Sequence, residues 1–168
     1  METLEAKDNR SAVSESDPLR DLRDLMDRAE ITDLVTRLGH WLDEKRFDEA
    51  QEIFAAEVTV ETPGGRAQGM ERLVEQARRN HEPFERMQHV ITNVLVDLAG
   101  DRAAVRANLI ATLVPHADAP DRHFDVGERY AFEAVRTSAG WRLSEVRVTP
   151  IWTSGSERRL AAAGCGYA

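Results

Sequence analysis

Cysteine is almost missing from this chain. Its 168 residues hold one, Cys165. A single thiol closes no internal disulfide and builds no cysteine-based zinc site. That economy suits a reducing compartment, and a cytoplasmic location is expected. Long apolar runs are missing too. No stretch approaches the ~18 residues that a membrane-spanning helix needs, and mean hydropathy is −0.48. No basic start leads into an apolar segment of the secretory kind. The protein therefore reads as soluble, with no membrane partner. A basic face is also lacking. The formal net charge is −8, and the cations alternate with acids, as in Arg20-Asp21-Leu22-Arg23-Asp24. That is the pattern of a solvated helix face, not of a nucleic-acid footprint, so no nucleic acid is expected as a partner. There is no glycine-rich phosphate loop and no Gly-x-Ser-x-Gly elbow. No two histidines stand four apart on a helix, and no tight ligand cluster appears. Neither a metal nor a cofactor is expected.

What is present suffices for one domain. Hydrophobic residues make up 42% of the chain, enough for one core. Residues 1–17 are polar, without apolar periodicity, and read as a disordered arm. Asp17-Pro18 then looks like a helix start, with proline at the first helical position. Asp27 to Glu30 matches a capping box, which predicts a break or second start there. Beyond it Ile31, Leu34, Val35, Leu38, Trp41 and Leu42 recur at helical spacing. A short helix is expected from Phe47 to Phe54 and another from Gly69 to Asn80. Glu57 to Thr62 alternates as a strand and ends at Pro63-Gly64-Gly65. Further strands are expected near 87–98, 102–114, 123–136 and 141–152. Helices followed by a run of strands predict an α+β fold: a curved, cone-shaped mixed sheet packed by three or four N-terminal helices around an internal pocket. The domain is expected over 18–152, with 153–168 as a tail that can cover the pocket.

Two polar residues stand where apolar ones are expected. His89 lies in Met87-Gln88-His89-Val90-Ile91-Thr92-Asn93, a strand with apolar residues on both faces. By alternation it shares a face with Ile91, Asn93 and Leu95. It is either a core histidine satisfied by backbone groups or an acid–base group, since imidazole titrates near neutral pH. Asp43 ends the Ile31–Leu42 helix, where a carboxylate opposes the helix dipole. Either Lys45 and Arg46 relieve it at the surface, or it faces the pocket and orients an imidazole. His116 follows Pro115 at a strand end, where a pocket mouth is plausible. His40 and His123 are uninformative. His81, in Arg79-Asn80-His81-Glu82, reads as a surface residue. Asp125 and Glu133 are pocket carboxylates only if their strand turns them inward.

These residues also carry a likeness. Over about Asp27 to Trp152 the chain resembles the SnoaL-like branch of the superfamily that includes ketosteroid isomerase and the nuclear transport factors. The likeness rests on Arg28-Ala29-Glu30-Ile31-Thr32-Asp33-Leu34, Leu42-Asp43-Glu44-Lys45-Arg46-Phe47, Gln88-His89-Val90-Ile91-Thr92-Asn93, Gly127-Glu128-Arg129-Tyr130 and Gly140-Trp141-Arg142-Leu143. Within that branch it looks most like the scytalone dehydratases, then the hexachlorocyclohexane dehydrochlorinases. The resemblance implies a His–Asp dyad of His89 and Asp43, with His116, after Val114-Pro115, as a further catalytic histidine. It places Leu42 and Thr62 where the dehydratases carry two pocket tyrosines, and Tyr130 where they carry an asparagine. Tyr130 is then either a hydroxyl donor or a core tyrosine. Trp41, Asn93 and Trp152 complete the implied substrate contacts. The implied activity is a lyase or isomerase: dehydration, isomerisation or cyclisation of a small apolar, polyketide- or terpenoid-like molecule. The alternatives are epoxide hydrolysis and a non-catalytic ligand-binding or dimerisation module. The family also implies a homodimer or homotrimer formed through the open sheet.

Overall fold

The computed structural model describes residues 17–155. Helix α1 (Pro18–Asp43) is followed by a 3-10 turn at Phe47–Glu52, strands β1 (Phe54–Thr62) and β2 (Gly65–Gln68), and helix α2 (Met70–His81). Strands β3 (Arg86–Ala99), β4 (Arg102–Val114), β5 (Phe124–Thr137) and β6 (Gly140–Gly155) complete the described residues. One six-stranded sheet runs in the order β2-β1-β6-β5-β4-β3. All pairs are antiparallel except β1 with β6, so the sheet is mixed. It does not close. The helices cover one face, and the core between them includes Ile31, Val35, Phe47, Val58, Leu109, Trp141 and Leu143. This is the expected α+β cone.

The strand expectations hold to within a few residues, and β6 runs on past the expected domain end at 152 to Gly155. The expected arm (residues 1–16 of it), Cys165 and the rest of the expected tail lie outside the described residues. β2 was not anticipated. The Pro63-Gly64 turn folds the chain back on β1 instead of ending the sheet. The Phe47–Phe54 helix is a 3-10 turn over 47–52. Its buried residues, Phe47 and Ala50, stand three apart, the spacing that eclipses side chains in that geometry.

The break expected at Asp27 is absent: α1 is continuous over 26 residues. Asp17 caps it, accepting from the Leu19 N–H at 3.1 Å. Asp27 is instead a buried tether between α1 and the sheet. Its carboxylate accepts from the Arg136 guanidinium and from the Trp141 indole N–H at 3.1 Å. Arg136 stacks 4.6 Å above the Trp141 ring. Glu30, the would-be capping partner, accepts from the Trp141 backbone N–H.

A bulge in β3 decides which side of the sheet each residue faces. Pairing with β4 slips between Thr92 and Leu95, and Asn93 has φ 55°. Asparagine tolerates that left-handed conformation better than most residues. Before the bulge Met87, His89 and Ile91 face the helices, and after it Val94, Val96 and Leu98 do. The strict alternation expected from the sequence therefore fails here. Asn93 and Leu95 are exposed and do not share the face of His89.

The opposite face carries an apolar stripe at one register. Val90 pairs with Ile110, Ile110 with Gly127, and Gly127 with Trp152. A Cβ on Gly127 would lie 2.2 Å from the Trp152 indole, so glycine is what lets that ring lie against the strand. This is the face to which the sequence reading assigns self-association.

The Arg136 bond holds the Asp27 carboxyl below its ordinary range. Its contribution to stability is then present above the unfolded carboxyl pKa and is lost as pH falls through the folded one. Asp27→Ala leaves the indole N–H without its acceptor and Arg136 with Asp101 alone. It is expected to cost about 2–4 kcal/mol in urea unfolding. A cost below about 0.5 kcal/mol, typical of surface substitutions, would show that the tether does not stabilise the fold.

Candidate active site

Asp43 is the last residue of α1, and Lys45, with φ 54°, turns the chain away. Neither neighbouring cation relieves the carboxylate. Lys45 Nζ donates to the carbonyls of Phe84, at 2.6 Å, and Glu82. Arg46 pairs with Glu44 and Glu49. Asp43 instead faces β3. Its two oxygens lie 3.0 and 3.1 Å from the His89 backbone N–H, and Oδ1 lies 2.6 Å from His89 Nδ1. The His89 side chain is 4% exposed and that of Asp43 21%. A carboxylate accepts only, so Nδ1 carries the proton and Nε2 presents a lone pair.

Two adjoining cavities open beside this pair. One, about 70 Å³, is mostly apolar and is lined by residues including Leu38, Trp41, Leu42, Phe54, Leu73 and Val146. The other, about 50 Å³, is lined by His89 together with His81, Glu128 and Leu113. Thr62, Asn80, His81, Tyr130 and Val148 border both. Of the residues expected to contact substrate, Trp41, Leu42, Thr62 and Tyr130 line these spaces. Asp43 is in neither lining and meets the cavity through His89, and three further expected site residues stand apart from both. His116 is exposed in the turn after β4. Asn93 is carried outward by the bulge. Trp152 lies on the outer face against Gly127. His40 and His123 are also elsewhere: His40 is exposed near Glu44, and His123 Nδ1 lies 2.8 Å from the Pro120 carbonyl. Among the described residues no group of three His, Cys, Asp or Glu side chains is placed to hold a metal ion.

Two cavity residues escaped the sequence reading. Glu128 is 5% exposed and faces inward from β5. Phe124, Val126, Tyr130 and Phe132 mark that inward face, and their alternation placed Glu128 on it. Asp125 and Glu133 point the other way. Glu128 accepts a hydrogen bond from Tyr130, whose hydroxyl is pushed well above its ordinary pKa, first by burial and then by the Glu128 charge. His81 is not a surface residue. It closes α2 with Nδ1 2.8 Å from the Ala77 carbonyl, and its ring centroid is 5.6 Å from that of His89. Burial, then the neighbouring His89, lowers its pKa to about 4. Helical periodicity gave the signal here, because His81 falls four residues after Ala77 and eight after Leu73, both buried.

The sequence profile of the SnoaL-like domain matches residues 23–147. The chain belongs to the SnoaL-like domain family. Solved structures agree on the fold. Kfla4162 from Kribbella flavida superposes with a TM-score of 0.73 at 26% identity, covering 86% of this chain and 99% of its own. A Novosphingobium aromaticivorans protein provisionally described as a scytalone dehydratase gives 0.73 at 17% identity, over 83% of this chain and 93% of its own. The hexachlorocyclohexane dehydrochlorinase LinA-type3 from Novosphingobium barchaimii gives 0.71 at 16% identity, over 82% and 95%. A search of curated proteins finds no match. In this SnoaL-like domain the His89 ring that contacts Asp43 lines one of the two cavities. No described helix is long and apolar enough to cross a membrane.

The lowered pKa of His81 has a consequence for stability. The unfolded chain binds a proton on this residue from about pH 6.5 downward, and the folded one only near pH 4. Its contribution is therefore complete above pH 6.5 and declines as pH falls toward 4. Between pH 7.5 and 4.5 the wild type is expected to lose about 2–3 kcal/mol that His81→Phe does not lose. Urea unfolding of both proteins at the two pH values measures this. Equal losses would show that His81 is not held neutral by its site.

Proposed function

We propose that this SnoaL-like domain is a cofactor-independent acid–base enzyme acting on a small, largely apolar molecule. The 2.6 Å contact between Asp43 Oδ1 and His89 Nδ1, at a cavity that adjoins a mostly apolar one, carries the reading. His89 Nε2 removes a proton from a carbon next to a carbonyl. Asp43 fixes the ring and stabilises the imidazolium that forms. The imidazolium then returns the proton. Delivered to a departing hydroxyl it completes a dehydration, and delivered to another carbon it completes an isomerisation. If the carbanion first attacks a second carbonyl, the proton goes to the new alkoxide and a ring has closed. All three need one base of near-neutral pKa away from bulk water. The apolar compartment lined by Trp41, Leu42 and Phe54 takes the body of the molecule. His116, exposed and outside the cavity linings, has no part.

Epoxide hydrolysis is the second reading, and Glu128 favours it. It is a buried second carboxylate in the same cavity as His89, able to take a proton from a water that opens the ring.

A panel of β-hydroxy ketones, followed by the ultraviolet absorbance of the conjugated enone, tests the first reading. His89→Ala and Asp43→Asn are each expected to lower turnover by about 10²–10⁴-fold with unchanged far-ultraviolet circular dichroism. His116→Ala is expected to leave turnover intact. Folded His89 and Asp43 variants that keep wild-type turnover would remove the dyad from the chemistry. Epoxide consumption lost in Glu128→Gln and kept in His89→Ala would select the second reading.

A further inference from the structure

The mostly apolar cavity has polar atoms in its wall that the fold leaves unused. Trp41 is 2% exposed and Gln76 5%. Both line this cavity, and neither belongs to the lining that contains His89. Among the described residues, the buried Trp41 Nε1 and the buried Gln76 Oε1 have no hydrogen-bond partner. Other polar residues of the same lining are engaged. His81 Nδ1 meets the Ala77 carbonyl, Tyr130 bonds to Glu128, and Asn80 has an interaction of its own.

The two atoms are opposite in kind. An indole nitrogen only donates. The Trp41 ring packs edge-on with Phe47 and Phe54, at centroid distances of 5.2 and 5.3 Å, and an aromatic face is a second-order acceptor beside an oxygen. On Gln76 the neighbours fix which end of the amide is which. Nε2 lies 2.8 Å from the Gly65 carbonyl, which only accepts, and 2.9 Å from Thr62 Oγ1. The nitrogen therefore meets the β1–β2 hairpin, and the oxygen is the end left over, an acceptor only. Buried polar groups in folded proteins are paired almost without exception. For atoms in a cavity wall, the partner is what the cavity holds.

We propose that Trp41 and Gln76 are substrate-binding residues, the indole N–H donating to a carbonyl oxygen of the bound molecule and Gln76 Oε1 accepting from one of its hydroxyls. The site then selects ring compounds that carry both groups over hydrocarbons of the same size. These contacts lie in the cavity whose lining lacks His89, so they hold the molecule and take no part in moving its proton. This deepens the proposed enzymatic reading by narrowing its substrate class. Binding alone tests it, so loss of the dyad chemistry leaves it standing, and its own failure leaves the dyad untouched.

Ethylbenzene, acetophenone and the meta- and para-hydroxyacetophenones serve as probes, with affinities measured at neutral pH by ligand-observed NMR. They share a ring and a two-carbon arm and differ in carbonyl and hydroxyl. Trp41→Phe, which keeps a ring but removes the N–H, is expected to weaken acetophenone about three- to tenfold, the range of one net hydrogen bond, and to leave ethylbenzene little changed. Wild type is expected to prefer a hydroxyacetophenone to acetophenone, and Gln76→Leu to erase that preference. In the wild type, acetophenone but not ethylbenzene is expected to shift the Trp41 indole N–H resonance. A hydroxyacetophenone but not acetophenone is expected to shift the Gln76 side-chain carbonyl resonance. These two readouts stand even where a variant does not fold. No binding of any oxygenated probe, an acetophenone affinity that Trp41→Phe leaves unchanged, or a hydroxyl preference that is absent or survives Gln76→Leu would overturn the proposal. Indole and amide resonances that no oxygenated probe moves would assign both atoms to buried water and overturn it too.

Discussion

The carboxylate of Asp43 joins the first helix to the third strand, and the candidate site is built on that joint. It lies at the C-terminal end of α1, where the dipole disfavours negative charge. Two N–H groups of one residue offset this: the backbone and the imidazole of His89 both donate to it. Charge-assisted bonds of this kind are stronger than neutral ones. The same contact fixes where the imidazole lies and which nitrogen is free. Removing the charge disturbs the position of the helix end and the chemistry of the ring together.

A second acid on the same helix gives α1 its other anchor. Asp27, sixteen residues earlier and thus about 24 Å away along the axis, bonds to Arg136 on β5 and Trp141 on β6. Asp43 holds β3. One helix is pinned to strands on both sides of β4, and the space left beneath its C-terminal half becomes the apolar cavity. Packing by Leu38, Trp41 and Leu42 gives that cavity its walls. The polar residues of the adjoining cavity come from elsewhere, His81 from the end of α2 and Glu128 from β5, so the site collects one group from each layer.

Local periodicity made the architecture legible. Alternation and turn residues placed β3 to β6 closely, and the apolar spacing from Ile31 to Leu42 placed the helix that carries Asp43. The His89–Asp43 pairing came from two anomalies, an imidazole in an apolar strand and a carboxylate at a helix end, together with family likeness. What stayed hidden depended on long-range partners. Asp27 looked like a cap because Arg136 and Trp141 are more than a hundred residues away in sequence. Asn93 was misplaced because a bulge reverses alternation and leaves no periodic trace. His81 looked exposed because its neighbours Arg79 and Glu82 are polar, although the helical phase of Leu73 and Ala77 pointed inward. Glu128 escaped the reading although its strand's alternation carried the signal, and its use as the acceptor of Tyr130 left none in the sequence.

The central claim is that Asp43 holds His89 with Nδ1 protonated and Nε2 open to the cavity. The ¹⁵N resonances of the His89 ring, assigned by their loss in His89→Ala, measure this directly in the wild type and in Asp43→Asn at neutral pH. The account predicts an Nδ1–H tautomer in the wild type and loss of that preference in the variant. An Nε2–H tautomer in the wild type, or a ring whose resonances ignore the Asp43 substitution, would contradict it.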